Sequence, residues 1–135
     1  MIVWGDIKTW CVLVVDDEVD NVEVAAETLE FLGAVVKTAV NGLEAIHTLE
    51  SFAANLILLD LSMPTMSGWE ARMKIKANER TKDIPILALS AHAMVGDKER
   101  ALAVGFDGYL TKPINLLTFA EDIRAALVKT LSRQS

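Results

Sequence analysis

The chain has 135 residues, of which 52% are hydrophobic, and a net charge of −6 with one cysteine. That length and apolar content suit one domain with a real core and exclude disorder as the main state. The acidity makes the chain a poor non-specific binder of nucleic-acid phosphate, and a lone Cys11 excludes an intrachain disulfide. No apolar stretch approaches the roughly 20 residues of a membrane helix. Residues 1–10 carry Asp6 and no basic segment ahead of a long apolar one, so no targeting segment is expected.

Residues 11–15 (CVLVV) are short, continuous and β-branched, the pattern of a buried parallel strand. Over 19–32 the apolar residues Val22, Ala25, Ala26, Leu29 and Leu32 recur at helical spacing, and Gly33 suits the stop. Residues 35–40 read as a second strand. Asn41-Gly42 marks a turn, and Leu43, Ala45, Ile46 and Leu49 predict a helix. The third strand, 56–59, runs straight into Asp60. A short helix is predicted over 69–77, after a Pro64–Gly68 loop. Pro85 opens the fourth strand, 86–89, at a position that tolerates proline. A weaker helix over 93–104 ends at Gly105, and 109–111 form a short fifth strand. The last helix is predicted over 114–131, with Leu116, Phe119, Ala120, Ile123, Leu127 and Leu131 on one stripe.

Five β/α units in strict alternation predict an α/β domain, with a five-stranded parallel sheet doubly wound by five helices. The expected organisation is an N-terminal extension over 1–9 and one domain over 10–132. No output domain is expected after it. The extension's role is left open: Trp4 and Trp10 could pack on a sheet edge or support a dimer.

Ligands of an open parallel sheet bind beyond the carboxyl ends of its strands. The residues placed there are polar. Asp16, Asp17 and Glu18 follow the first strand, and Asp60 and Ser62 the third. Ser90 and His92 follow the fourth, and Lys112 the fifth. Three converging carboxylates repel one another, so one pKa should rise unless a cation intervenes. Oxygen ligands on loops suit Mg²⁺, which takes one or two carboxylates and phosphate oxygens. Acids, an ammonium and a hydroxyl around such an ion suit phosphoryl transfer, with a spare carboxylate as nucleophile. Each residue also has a plainer role. Asp16 or Asp17 could cap the first helix, Ser90 a turn, and Lys112 could be a solvated charge. Asp60 could cap the helix after its loop, although Ser67 lies nearer.

The segments VLVVDDE, ILLDLSMPTMSG, ILALSAH and GYLTKPI occur in this order. Together they resemble the CheY-like receiver domain of bacterial two-component response regulators, over roughly residues 10–131. The resemblance implies strand order 2-1-3-4-5 and a stand-alone regulator in a phosphorelay. It implies that Asp60 accepts phosphoryl from a histidine kinase or histidine phosphotransfer protein. Asp16 and Asp17, with Asp60 and the backbone carbonyl of Ser62, would hold Mg²⁺, with Mn²⁺ a possible substitute. Ser90 matches the switch hydroxyl, Lys112 the phosphoryl-pairing lysine and Tyr109 the aromatic switch. Ser62 and His92 match positions that tune phosphoryl lifetime, and the Lys112–Pro113 bond is commonly cis in the family.

The implied readout face is 93–104 with 109–119, acting on a downstream protein target. A cytoplasmic monomer or weak dimer is expected, without nucleic-acid or membrane partners and without enzyme activity beyond self-phosphorylation and autodephosphorylation.

Four other readings remain. A haloacid-dehalogenase-type phosphatase places a second aspartate two residues after its nucleophile. Here Glu18 follows Asp16 at that spacing and Ser62 follows Asp60, so the pattern fails at both. A flavin-binding flavodoxin-like module would have to seat phosphate among three acids. A receiver-like domain that is never phosphorylated, and the receiver piece of a hybrid histidine kinase, are the other two.

Overall fold

The computed structural model describes residues 2–91 and 96–134, the side chains of 128–134 excepted. Five strands, β1 (Cys11–Val15), β2 (Val35–Ala39), β3 (Leu56–Asp60), β4 (Ile86–Ser90) and β5 (Gly108–Thr111), form one sheet in the order 2-1-3-4-5. Every pairing is parallel. Five helices connect and follow them: α1 (Val19–Phe31), α2 (Gly42–Leu49), α3 (Gly68–Lys76), α4 (Asp97–Val104) and α5 (Phe119–Gln134).

The alternation of side chains along each strand divides the core in two. Leu13, Val15, Ile57 and Leu59 pack with α2 and α3 on one face. Val12, Val14, Leu56 and Leu58 pack with α1 and α5 on the other. The central strands β3 and β4 are buried along their whole length, which is why they read as unbroken apolar runs. At the sheet edge, β2 is largely exposed, with only Ala39 buried.

Local chemistry sets the helix ends. Asn41 and Ser67 cap α2 and α3 by accepting from the N–H groups of Glu44 and Glu70. Gly33, at φ 113°, ends α1: its N–H donates to the Glu30 carbonyl and that of Ala34 to Leu29. Leu32 therefore lies past the helix end and is 41% exposed, off the predicted stripe.

The last helix begins five residues later than its periodicity predicts. Asn115 Oδ1 accepts from the Leu117 N–H, and the Thr118 N–H donates to the Asn115 carbonyl, closing a turn that competes with helix. Leu116 and Leu117 are consequently exposed, and Leu116 leaves the stripe. Phe119, Ile123 and Leu127 do form it. The side chain of Leu131 lies outside the described residues, as do residues 93–95 of the predicted fourth helix.

The segment before β1 is folded. A short 3₁₀ turn (Ile7–Thr9) follows a bridge between Val3 and Asp6. Trp10 is fully buried in the α1/α5 core layer, and Trp4 meets it edge-on with ring centroids 5.7 Å apart. Asn55 ties this segment to the sheet: Oδ1 accepts from the Cys11 N–H at 2.8 Å and Nδ2 donates to the Thr9 carbonyl at 3.1 Å.

Candidate functional site

Register brings the acidic residues together. Val15 pairs with Leu59, so Asp16 and Asp60 occupy neighbouring positions at the carboxyl ends of β1 and β3. Ser90 pairs with Thr111 at the ends of β4 and β5, and the Lys112 N–H donates to the Ser90 carbonyl at 2.8 Å. The site therefore belongs to four strands, and no single segment contains it.

Asp16 and Asp60 are 2% and 3% exposed, and Asp17 is exposed at the rim. One carboxylate oxygen from each of the three lies within 4.8 Å of the others. The Lys112 ammonium reaches in from β5, 2.7 Å from Asp16 Oδ2 and 3.2 Å from Asp60 Oδ2. Glu18 lies 4.0 Å from the same ammonium. Backbone N–H groups hold the remaining oxygens: Ser62 donates to Asp60 Oδ1 at 3.1 Å, and Glu18 to Asp16 Oδ1 at 3.0 Å. Asp16 is thus engaged outside α1, and Glu18 occupies the cap position without a side-chain cap.

Burial pushes the Asp60 carboxyl up to about 7, and neighbouring Asp16 pushes the same way. The Ser62 N–H and Lys112 oppose the rise without cancelling it. Burial would lower the Lys112 ammonium, but its bonds and charge attraction to Asp16 and Asp60 outweigh that and hold it above the ordinary lysine value. One ammonium thus serves two buried carboxylates, with Asp16 the nearer. The unmet negative charge and the all-oxygen donor set fit a hard divalent cation such as Mg²⁺.

The loop after Asp60 is built to a close tolerance. Gly68 N–H donates to the Leu61 carbonyl at 3.0 Å, and a Cβ on Gly68 would collide with the Asp60 carbonyl oxygen. Met63 and Met66 anchor the loop in the core, and between them Thr65 takes φ 70°. The Met66 N–H donates to the Pro64 carbonyl at 2.8 Å across that residue.

Of the residues singled out in the sequence, Asp16, Asp17, Asp60, Ser62 and Lys112 meet in one cluster. Ser90 is buried at the end of β4 beside it. Tyr109 is half-buried against the α2/α3 core layer. The Lys112–Pro113 bond is cis. His92 lies outside the described residues. The sequence reading missed Gly68, although a glycine in the first turn of a helix is a poor helix former and hints at close backbone approach. Beside the cluster opens a groove of about 440 Å³, lined by Asp16, Glu18, Asn21, Val24, Lys112 and Ile114 among others.

Residues 12–124 match the family model of the response regulator receiver domain. The polar-differentiation response regulator DivK of Brucella anthropi is 34% identical over 116 residues, covering 86% of this chain and 94% of that protein. Among solved structures, the chemotaxis response regulator CheY4 of Vibrio cholerae superposes with a TM-score of 0.80 at 31% identity, covering 87% of this chain and 98% of that one. The receiver domain of a sensor histidine kinase from Pseudomonas aeruginosa superposes with a TM-score of 0.76 at 30% identity, covering 88% and 98%. That structure has a magnesium ion coordinated in its active-site cleft.

Proposed function

The chain belongs to the response regulator receiver domain family of two-component signalling, and from that premise we propose that Asp60 is its phosphoryl acceptor. Receiver domains are signalling modules, so the chemistry is group transfer onto the protein itself. The observation that carries this reading is the Lys112 ammonium shared between buried Asp16 and Asp60, with Asp17 in reach of both.

The donor is the phosphohistidine of a histidine kinase or histidine phosphotransfer protein. An Asp60 oxygen attacks phosphorus; the P–O bond forms as the P–N bond breaks, and the imidazole leaves with the electron pair and takes up a proton. Asp16, Asp17, Asp60 and the Ser62 carbonyl would hold Mg²⁺ or Mn²⁺, which when bound neutralises phosphoryl oxygen charge. Lys112 pairs with the new phosphoryl oxygens, and the Ser90 hydroxyl donates to one of them. Water later cleaves the acyl phosphate, at a rate set by side chains at 62 and 92.

The added charge, roughly −1.5 to −2, draws Ser90 and Lys112 and shifts Tyr109. That biases the surface of α4, β5 and α5 toward its signalling form and a downstream protein target. The setting is cytoplasmic, and among the described residues no helix is long and apolar enough to cross a membrane. Residues 10–132 are the receiver unit. A second reading, a receiver module of a hybrid kinase, draws on the likeness to the sensor-kinase receiver domain.

The test is labelling by a small-molecule phosphodonor such as acetyl phosphate in Mg²⁺. The wild type takes one phosphoryl group and Asp60→Asn takes none. Undiminished labelling of that variant sinks the assignment.

A further inference from the structure

Helix α4 has little apolar footing. Ala101 is its one buried residue, against four in α1, and Gly96 at its start offers no side-chain cap. Ala101 seats it on the core, and two side chains tie it to α3 as well. The Arg100 guanidinium lies 4.4 Å from the Trp69 ring centroid. Arg72 Nη2 donates to the carbonyl of Gly105, just past the end of α4, at 3.1 Å, and the same guanidinium lies 5.6 Å from the Phe106 ring centroid. Trp69 and Phe106 meet edge-on at 5.5 Å and join the two contacts into one cluster.

The start of α3 links the cluster to the loop after Asp60. Trp69 follows Gly68, which is seated against the Asp60 backbone, so its ring is carried on the capped first turn of α3. The contacts themselves are of a kind that releases readily. The Arg100 stack is exposed, where a cation–π contact is worth a few-fold in an equilibrium constant. Arg72 is seated with its Nε buried and without a hydrogen-bond partner among the described residues, which offsets part of the bond to Gly105.

We propose that the Arg100–Trp69 stack and the Arg72–Gly105 bond form a latch that holds α4 in its unphosphorylated position and sets how readily it shifts. The inference rests on the receiver reading above and adds the device that regulates the switch. Arg72 and Arg100 are positioning residues in it and touch no reacting atom. Because the signalling form of α4 and the phosphorylated form of Asp60 favour one another, linkage requires that loosening the latch also eases phosphorylation.

The test uses Arg100→Ala and Arg100→Lys in the full chain, with two readouts. These are amide hydrogen exchange across 97–104 and the ratio of labelled to unlabelled protein at steady state with sub-saturating acetyl phosphate in Mg²⁺. In Arg100→Ala both rise by about two- to five-fold. Arg100→Lys, which keeps the charge and loses the planar stack, falls between. Unchanged exchange in α4 overturns the latch. Faster exchange with no gain in labelling overturns it too, since that is a structural tether with no hold on the switch. A wild type that takes no label at all counts against Asp60 as acceptor and removes the switch the latch would regulate, whereas unchanged exchange in Arg100→Ala beside a wild type that labels counts against the latch alone.

Discussion

Lys112 Nζ lies 3.2 Å from Asp60 Oδ2, and yet the Asp60 carboxyl stands well above the ordinary aspartate range. The pairing does not hold Asp60 in the ordinary aspartate range, because burial penalises the charged form and the same ammonium lies closer to Asp16. Lys112 alone does not balance the two buried carboxylates it meets.

A pH dependence follows, with its sign. The folded Asp60 pKa, about 7, is above the ordinary 3.8, so the folded state holds an extra proton between those values. Stability from this group is full below the lower value and is lost as pH rises through the upper one. In EDTA, thermal stability of the wild type relative to Asp60→Asn falls between roughly pH 4 and pH 8. Mg²⁺, which needs the carboxylate, restores more stability at the upper end than at the lower. A wild-type-minus-variant difference that stays flat across the range would be the contrary result.

Gly68→Ala places a methyl group against the backbone carbonyl of Asp60, where no flexible side chain can yield. Overpacking of this kind costs about 1–3 kcal/mol. Urea unfolding measures that loss, and Mg²⁺ titration followed by tryptophan fluorescence measures the accompanying loss of metal affinity. Stability and affinity both equal to wild type would show that the loop is looser than the contact implies.

Thr65→Gly acts in the opposite direction. A β-branched residue at φ 70° is strained, and its side chain is exposed, so glycine gives up little packing. Relief of the strain, less the extra backbone entropy of glycine, leaves a gain of about 1 kcal/mol. Chemical denaturation reads it directly, and a variant less stable than wild type contradicts the account.

Trp4→Ala removes the edge-on partner of the buried Trp10 at the end of the molecule opposite the acidic cluster. The expected loss is about 1–2 kcal/mol of unfolding free energy. The rate at which acetyl phosphate labels the protein stays at the wild-type value. A slower rate in a folded variant would mean that the N-terminal segment acts on the site as well as on stability.

Much of this protein was legible along the chain. Val12 to Val15, Leu56 to Leu59 and Ile86 to Leu89 declare strands because a strand buried on both faces must be apolar throughout. Asp16, Asp60, Ser90 and Lys112 stand out as polar residues that end such runs, and the order of their motifs resembles one family. Where the reading ran past the structure, a local hydrogen bond had overruled periodicity. Asn115 closes a turn that a stripe of apolar residues would carry as helix, and Leu116 is left in solvent.

By itself, then, the sequence determined which segments are strands, where the helices lie apart from the start of the last one, and which residues are candidates for the chemistry, because patterning and capping act over a few residues. Only the tertiary structure decided that one Lys112 ammonium is divided between Asp16 and Asp60, that Gly68 must lack a side chain, that Trp10 is core, and that Arg72 meets Gly105 and Arg100 meets Trp69. Those relationships join residues from different β/α units. Their distances are set by strand order, register and crossover packing, which no local window of the chain contains.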